Sequence, residues 1–175
     1  MKRISLIALV IAVAMVMFGC SGGASSQQAS QQSSQQSSGV TQADRDAAAA
    51  YIGSKEYGDL SAYVLTVMDG VVELADGGNA AELQDRFQKL SAMIEAMDGL
   101  SVPDTCSDVD YSLKQLARAE AVALADFADA ALSKSSGNLE AAAKSLEEAN
   151  EYVDKAKQFT QEFNDATNAL AARFS

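Results

Sequence analysis

Between Leu139 and Phe174 the chain carries an apolar or small residue at alternating steps of three and four: Leu139, Ala142, Leu146, Ala149, Val153, Ala156, Thr160, Phe163, Thr167, Leu170 and Phe174. Ten such steps in succession keep all eleven side chains on one face of an α-helix, as the a and d positions of a heptad seam. The seam must be buried against another element, and its alanines and threonines call for a closely packed neighbour. Asn138 suits the N-cap of this helix, and Gly137 before it ends whatever helix precedes.

The same period runs through three earlier segments. Val109, Leu113, Leu116, Glu120, Ala123, Phe127 and Ala131 form one seam, with Pro103, the only proline, suited to its first turn. Glu120 falls inside that stripe. The ordinary expectation is a carboxylate at the flank reaching water, and the alternative is a buried, paired carboxylate. Leu83, Phe87, Leu90, Ile94 and Met97 form a shorter seam, with Asn79 and Glu82 spaced as a capping box and Gly99 at its end. The first segment carries Ala47, Ala50, Ser54, Tyr57, Ser61, Val64, Met68, Val71 and Ala75, with Thr41 and Asp44 placed to cap it. Gly53, Gly58 and Gly70 interrupt it, and Gly58-Asp59 is the expected break. No strand-like alternation appears. The expected fold over residues 41–175 is all-α, an antiparallel up-down-up-down four-helix bundle. Seams this rich in alanine argue against one extended coiled coil.

The N-terminal residues have a different character. Lys2 and Arg3 precede Ile4 to Phe18, apolar except for Ser5, and then come Gly19 and Cys20. As a helix, 15 residues reach about 22 Å, short of the roughly 30 Å of hydrocarbon that a spanning helix of about 20 residues crosses. No Lys/Arg cluster follows, so the stretch has the form of a secretory signal rather than an anchor. It resembles the signal peptide of bacterial lipoproteins, whose cleavage box reads Leu, Ala or Ser, Gly or Ala, then Cys; here it reads Met17, Phe18, Gly19, Cys20. The resemblance covers about the first 23 residues. It implies removal of residues 1–19 and a diacylglyceryl thioether on Cys20, with palmitate-type acyl chains holding the protein to the extracytoplasmic face of a membrane. Each buried CH₂ contributes about 0.8 kcal/mol, so two or three chains hold where one does not. Ser21 is permissive for sorting to an outer membrane in a cell that has one.

Residues 20–40 are the expected lipidated cysteine and tether. Ser21 to Ser38 is almost entirely Ser, Gln, Gly and Ala, including QQSSQQSS at Gln31 to Ser38. It has too little apolar surface to offset its conformational entropy, and disorder is the expectation. Residues 20–175 keep 11 of the 13 Lys and Arg and all 24 Asp and Glu, a net charge of −13. That balance opposes binding to nucleic acid and to anionic headgroups, and suits a monomeric domain held away from its membrane.

The chain has two cysteines and no histidine. With Cys20 acylated, Cys106 has no intramolecular disulfide partner and reads as a small buried hydrophobe, with a reactive or intermolecular thiol as the alternative. The absence of histidine removes Ser-His-Asp and Cys-His nucleophiles, Glu-x-x-His di-iron ligands and His-ligated haem. Gly77-Gly78 is followed by Asn79-Ala80, which is no phosphate loop. Glu147, Glu148, Glu151 and Asp154 cluster on one helix and read as a solvated face, with weak divalent-cation binding as the alternative. No catalytic residue, cofactor or metal site is expected. The expected role is a non-catalytic binding, accessory or scaffold module with an unidentified protein partner. The alternative is a binding module for a small apolar ligand or peptide, in a groove beside the short second helix lined by Tyr51, Tyr57 and the Cys106 loop.

Overall fold

A computed structural model describes residues 39–175, which belong to one compact unit. The expected signal peptide, Cys20 and all but the last two residues of the expected tether lie outside the described residues. The described part is all-helical: α1 (Gln42–Ile52), α2 (Lys55–Val64), α3 (Val71–Asp76), α4 (Ala80–Asp98), a 3₁₀ turn (Asp104–Cys106), α5 (Ser107–Ser135) and α6 (Leu139–Phe174).

Local chemistry sets most of the boundaries. Thr41 and Asp44 form a reciprocal capping box: the Asp44 N–H donates to Thr41 Oγ1 at 3.2 Å, and the Thr41 N–H to Asp44 Oδ2 at 2.8 Å. Asn138 accepts the Ala141 N–H at 3.1 Å and starts α6, while Gly137 takes the left-handed conformation (φ +79°) that ends the preceding turn. The capping box expected at Asn79 does not form. Its amide donates to Glu82 Oε2 at 3.2 Å instead of accepting a backbone N–H.

The first segment is three helices rather than one rod, and it does not break at Gly58. Gly58 lies inside α2. The first break is at Gly53-Ser54, where Gly53 ends α1 and Ser54, extended at ψ 150°, caps α2 by accepting the Tyr57 N–H at 3.3 Å. A Cβ on Gly53 would sit 2.9 Å from the Ala49 carbonyl oxygen, so a glycine is required there. The second break, residues 65–70, is a run of turns closed by Gly70 at φ +68°. Arg86 on α4 holds it: one guanidinium nitrogen donates to the Val67 and Asp69 carbonyls at 3.0 and 2.7 Å, and another to Glu82 Oε1 at 2.8 Å.

α5 is the central helix. Fifteen of its 29 residues are buried, against five of 36 in α6, because α2, α3, α4 and α6 all pack on it. The five buried residues of α6 are Ala142, Ala149, Ala156, Phe163 and Leu170, one every seventh position, and α6 lies along α5 in the most extensive contact of the fold. Leu60, Val67, Leu83, Leu90, Met97, Leu113, Leu116 and Leu124 fill the core between α5 and the helices before it. Burial of a Leu or Met contributes roughly 1.5–3 kcal/mol each. Polar contacts fix the ends. Lys134 of α5 donates to the Asp76 carbonyl at the end of α3 at 2.8 Å, and Arg45 of α1 donates to the Phe174 carbonyl at the end of α6 at 2.6 Å.

Candidate functional site

The end of the domain where α1 begins and α6 finishes brings together the three residues expected to line a groove. Tyr51 is the last turn of α1, Tyr57 the first turn of α2, and Cys106 the last residue of the 3₁₀ turn. The two rings meet edge to face with centroids 5.6 Å apart. They are inside the protein: Tyr51 is 5%, Tyr57 7% and Cys106 0% exposed. Of the three, Tyr51 alone borders an opening; Tyr57 and Cys106 pack in the core. A shallow, open depression of about 460 Å³ remains outside them, bordered by Ala47, Ala50, Tyr51, Leu100 and Pro103. A second of about 470 Å³ lies between α2 and α4, where the Lys89 ammonium sits 4.5 Å from the centre of the Tyr63 ring.

A polar chain leads from Tyr51 to the surface. Its hydroxyl donates to Asp110 Oδ1 at 2.5 Å; Lys114 bridges Asp110 at 2.9 Å and Asp98 at 3.2 Å; Arg118 reaches Asp98 at 3.1 Å. Asp98 ends α4, while Asp110, Lys114 and Arg118 lie on consecutive turns of α5. The network ties α1 and α4 to α5 and satisfies a nearly buried lysine. Its electrostatics do not activate a nucleophile. Burial, and then the hydrogen bond to Asp110, raise the Tyr51 phenol above its ordinary range; burial does the same to Tyr57. Burial also pushes the Cys106 thiol up, against smaller lowering effects of Thr105 and Arg173. A thiol held protonated and away from water is an inert core group.

No match to this chain is found among protein-family models, curated proteins or solved structures. The functional reading therefore stands on the residues themselves.

The residue that departs most from expectation is Glu120. It does not reach water at the flank of α5. It is 5% exposed, its Oε2 has no hydrogen-bond partner, and burial alone raises its pKa to about 8. The alternative of a paired buried carboxylate does not hold either, since no countercharge contributes to its shift. Burial favours the protonated carboxyl, the form that such an environment tolerates cheaply. Asp126 is raised as well, by partial burial and then by the charges of Glu148 across the α5–α6 contact and Asp129 on its own helix. In the α6 acidic cluster, Glu148 pairs with Lys144 at 3.4 Å and Asp154 with Lys157 at 2.8 Å. Among the described residues no group of three or more Cys, Asp or Glu is placed to hold a metal ion, and no helix is long and apolar enough to cross a membrane.

Proposed function

We propose that this chain is a lipid-anchored extracytoplasmic helical module, without catalytic activity, that serves as a binding, accessory or scaffold protein at the cell surface. The observation that carries the reading is the order of residues 2–20: two cations, a 15-residue apolar stretch too short to span a bilayer, and Gly19 immediately before Cys20. Acylation of Cys20 anchors the module, residues 20–40 tether it, and the net negative charge keeps it off anionic headgroups. Within the module, the proposed arrangement is an up-down-up-down bundle in which α1, α2 and α3 together make the first, twice-broken rod. Three polar contacts support that order: Arg45 with the C-terminal end of α6, Asp98 with the start of α5, and Lys134 with the end of α3.

The experiment is metabolic labelling of cells producing the chain with an alkynyl fatty acid. Label is expected on the wild-type protein in the membrane fraction and none on Cys20→Ala, which lacks the cysteine of the cleavage box and is expected to keep residues 1–19. Wild-type protein that reaches the membrane fraction without label, or equal labelling of Cys20→Ala, would overturn the proposal.

A further inference from the structure

We propose that α1 is a strap that opens as its own unit about the Gly53–Ser54 joint, uncovering the Tyr57–Cys106 surface while α2 to α6 stay packed. The argument starts from how little holds α1. It has 11 residues, below the 12–15 at which an isolated helix becomes even marginal in water. Two of its side chains are buried, Ala48 and Tyr51, and Ala48 contributes a single methyl. Its polar attachments are the Tyr51 phenol on Asp110 and the Arg45 guanidinium on the Phe174 carbonyl, with that guanidinium 5.8 Å from the centre of the Phe174 ring. By contrast α2, only ten residues long, is anchored by Tyr57, Leu60 and Val64 and packs on both α4 and α5.

The joint is built to part. α1 is capped at both ends by its own residues, Thr41–Asp44 and Gly53, and α2 starts from its own cap at Ser54. The backbone hydrogen bond from Ser54 N to the Tyr51 carbonyl at 3.1 Å crosses the joint, and the bonds within each helix need not change when it breaks. Opening also strands no buried charge, because Asp110 keeps Lys114 at 2.9 Å after the phenol leaves. What opening exposes is specific. α1 packs on the 3₁₀ turn that carries Cys106, and the thiol lies within electrostatic reach of both the Tyr51 and Tyr57 phenols. Removing Tyr51 uncovers an aromatic ring and a thiol side by side. The residues that precede α1 join it directly, so a pull or a partner acting through residue 39 meets this helix first. The inference is independent of the lipid anchor.

Cys106 supplies the readout. In the full chain carrying Cys20→Ser it is the single thiol. The rate of its reaction with a soluble maleimide is measured across a urea series and compared with global unfolding followed by far-ultraviolet circular dichroism. A strap gives protected labelling whose urea dependence is much shallower than that of global unfolding. Tyr51→Phe is expected to speed labelling about tenfold in the absence of urea, the loss of one hydrogen bond to a carboxylate, and to lower global stability by the same amount, because the open and the unfolded states both lack that bond. Ile94→Val, in the core of α4 that the open form keeps packed, separates the two routes: a lower midpoint with unchanged labelling is expected. Labelling that follows global unfolding in slope, and that speeds up in Ile94→Val in step with its lower midpoint, overturns the proposal. So does labelling at the rate of a free thiol in every variant.

Discussion

Replacing Glu120 by glutamine keeps the side chain's size and one unpartnered polar group but removes its titration. The Glu120 pKa moves from 4.5 to about 8 on folding, with burial as its cause. The folded state therefore holds the proton more tightly than the unfolded state, and stability falls as pH rises. The contribution is complete below about pH 4.5, declines by roughly 1.4 kcal/mol per pH unit above it, and is lost as pH passes about 8. Integrated, the cost relative to the protonated core is about 3 kcal/mol at pH 7 and approaches about 5 kcal/mol above pH 8. That is a large part of the total for a domain of this size. Urea unfolding of wild type and Glu120→Gln at pH 5, 6, 7 and 8 isolates the effect, because the other carboxyls are common to both proteins. Glu120→Gln is expected to lead by roughly 0.8 kcal/mol at pH 5. Glu120→Gln is expected to be the more stable by about 3 kcal/mol at pH 7 and by more at pH 8. A difference that stays flat from pH 5 to pH 8 would refute the reasoning, because it would mean that the carboxyl reaches water or finds a countercharge.

Three further outcomes follow from the helix ends and turns. Gly58 lies inside α2 with no atom within 4 Å of the position a Cβ would take, so Gly58→Ala is expected to raise stability by about 0.5–1 kcal/mol in thermal melts, whereas Gly53→Ala, 2.9 Å from the Ala49 carbonyl, is expected to lower it. Arg86→Ala removes the donor to the Val67 and Asp69 carbonyls; a loss of about 2 kcal/mol is expected in urea unfolding, with faster amide exchange confined at first to residues 65–71. Asn138→Ala deletes the α6 cap and is expected to cost about 1 kcal/mol by the same measurement.

The helical period was legible because it repeats without a gap, and every buried residue of α6 lies on the seam read from sequence. What period could not rank was the three glycines of the first segment, since each carries the same intrinsic cost. The choice fell to Ser54, whose hydroxyl offers α2 a new start just after Gly53, and to Leu60 and Val64, which need a continuous helix through Gly58 to reach the core. Glu120 was legible as a seam position and misread as solvated. A carboxylate escapes to water only if one flank of its helix is open, and α5, packed on by helices before and after it in the chain, buries Glu120. Arg86 left no signal at all, because its partners are backbone carbonyls on a turn whose path depends on α4. Tyr51, Tyr57 and Cys106 lie near one another in the structure. The 3₁₀ turn after Pro103 then carries Cys106 inward, which converts the expected lining of a groove into core.

The central claim is that Cys20 is the mature N-terminus and carries lipid. Intact-mass analysis of the protein purified from the membranes of its own cell tests it directly. The account predicts a chain starting at Cys20 with a mass increment matching a diacylglyceryl thioether, with or without a further acyl group on the amine. A full-length chain that retains residues 1–19 and carries no acyl increment would contradict it.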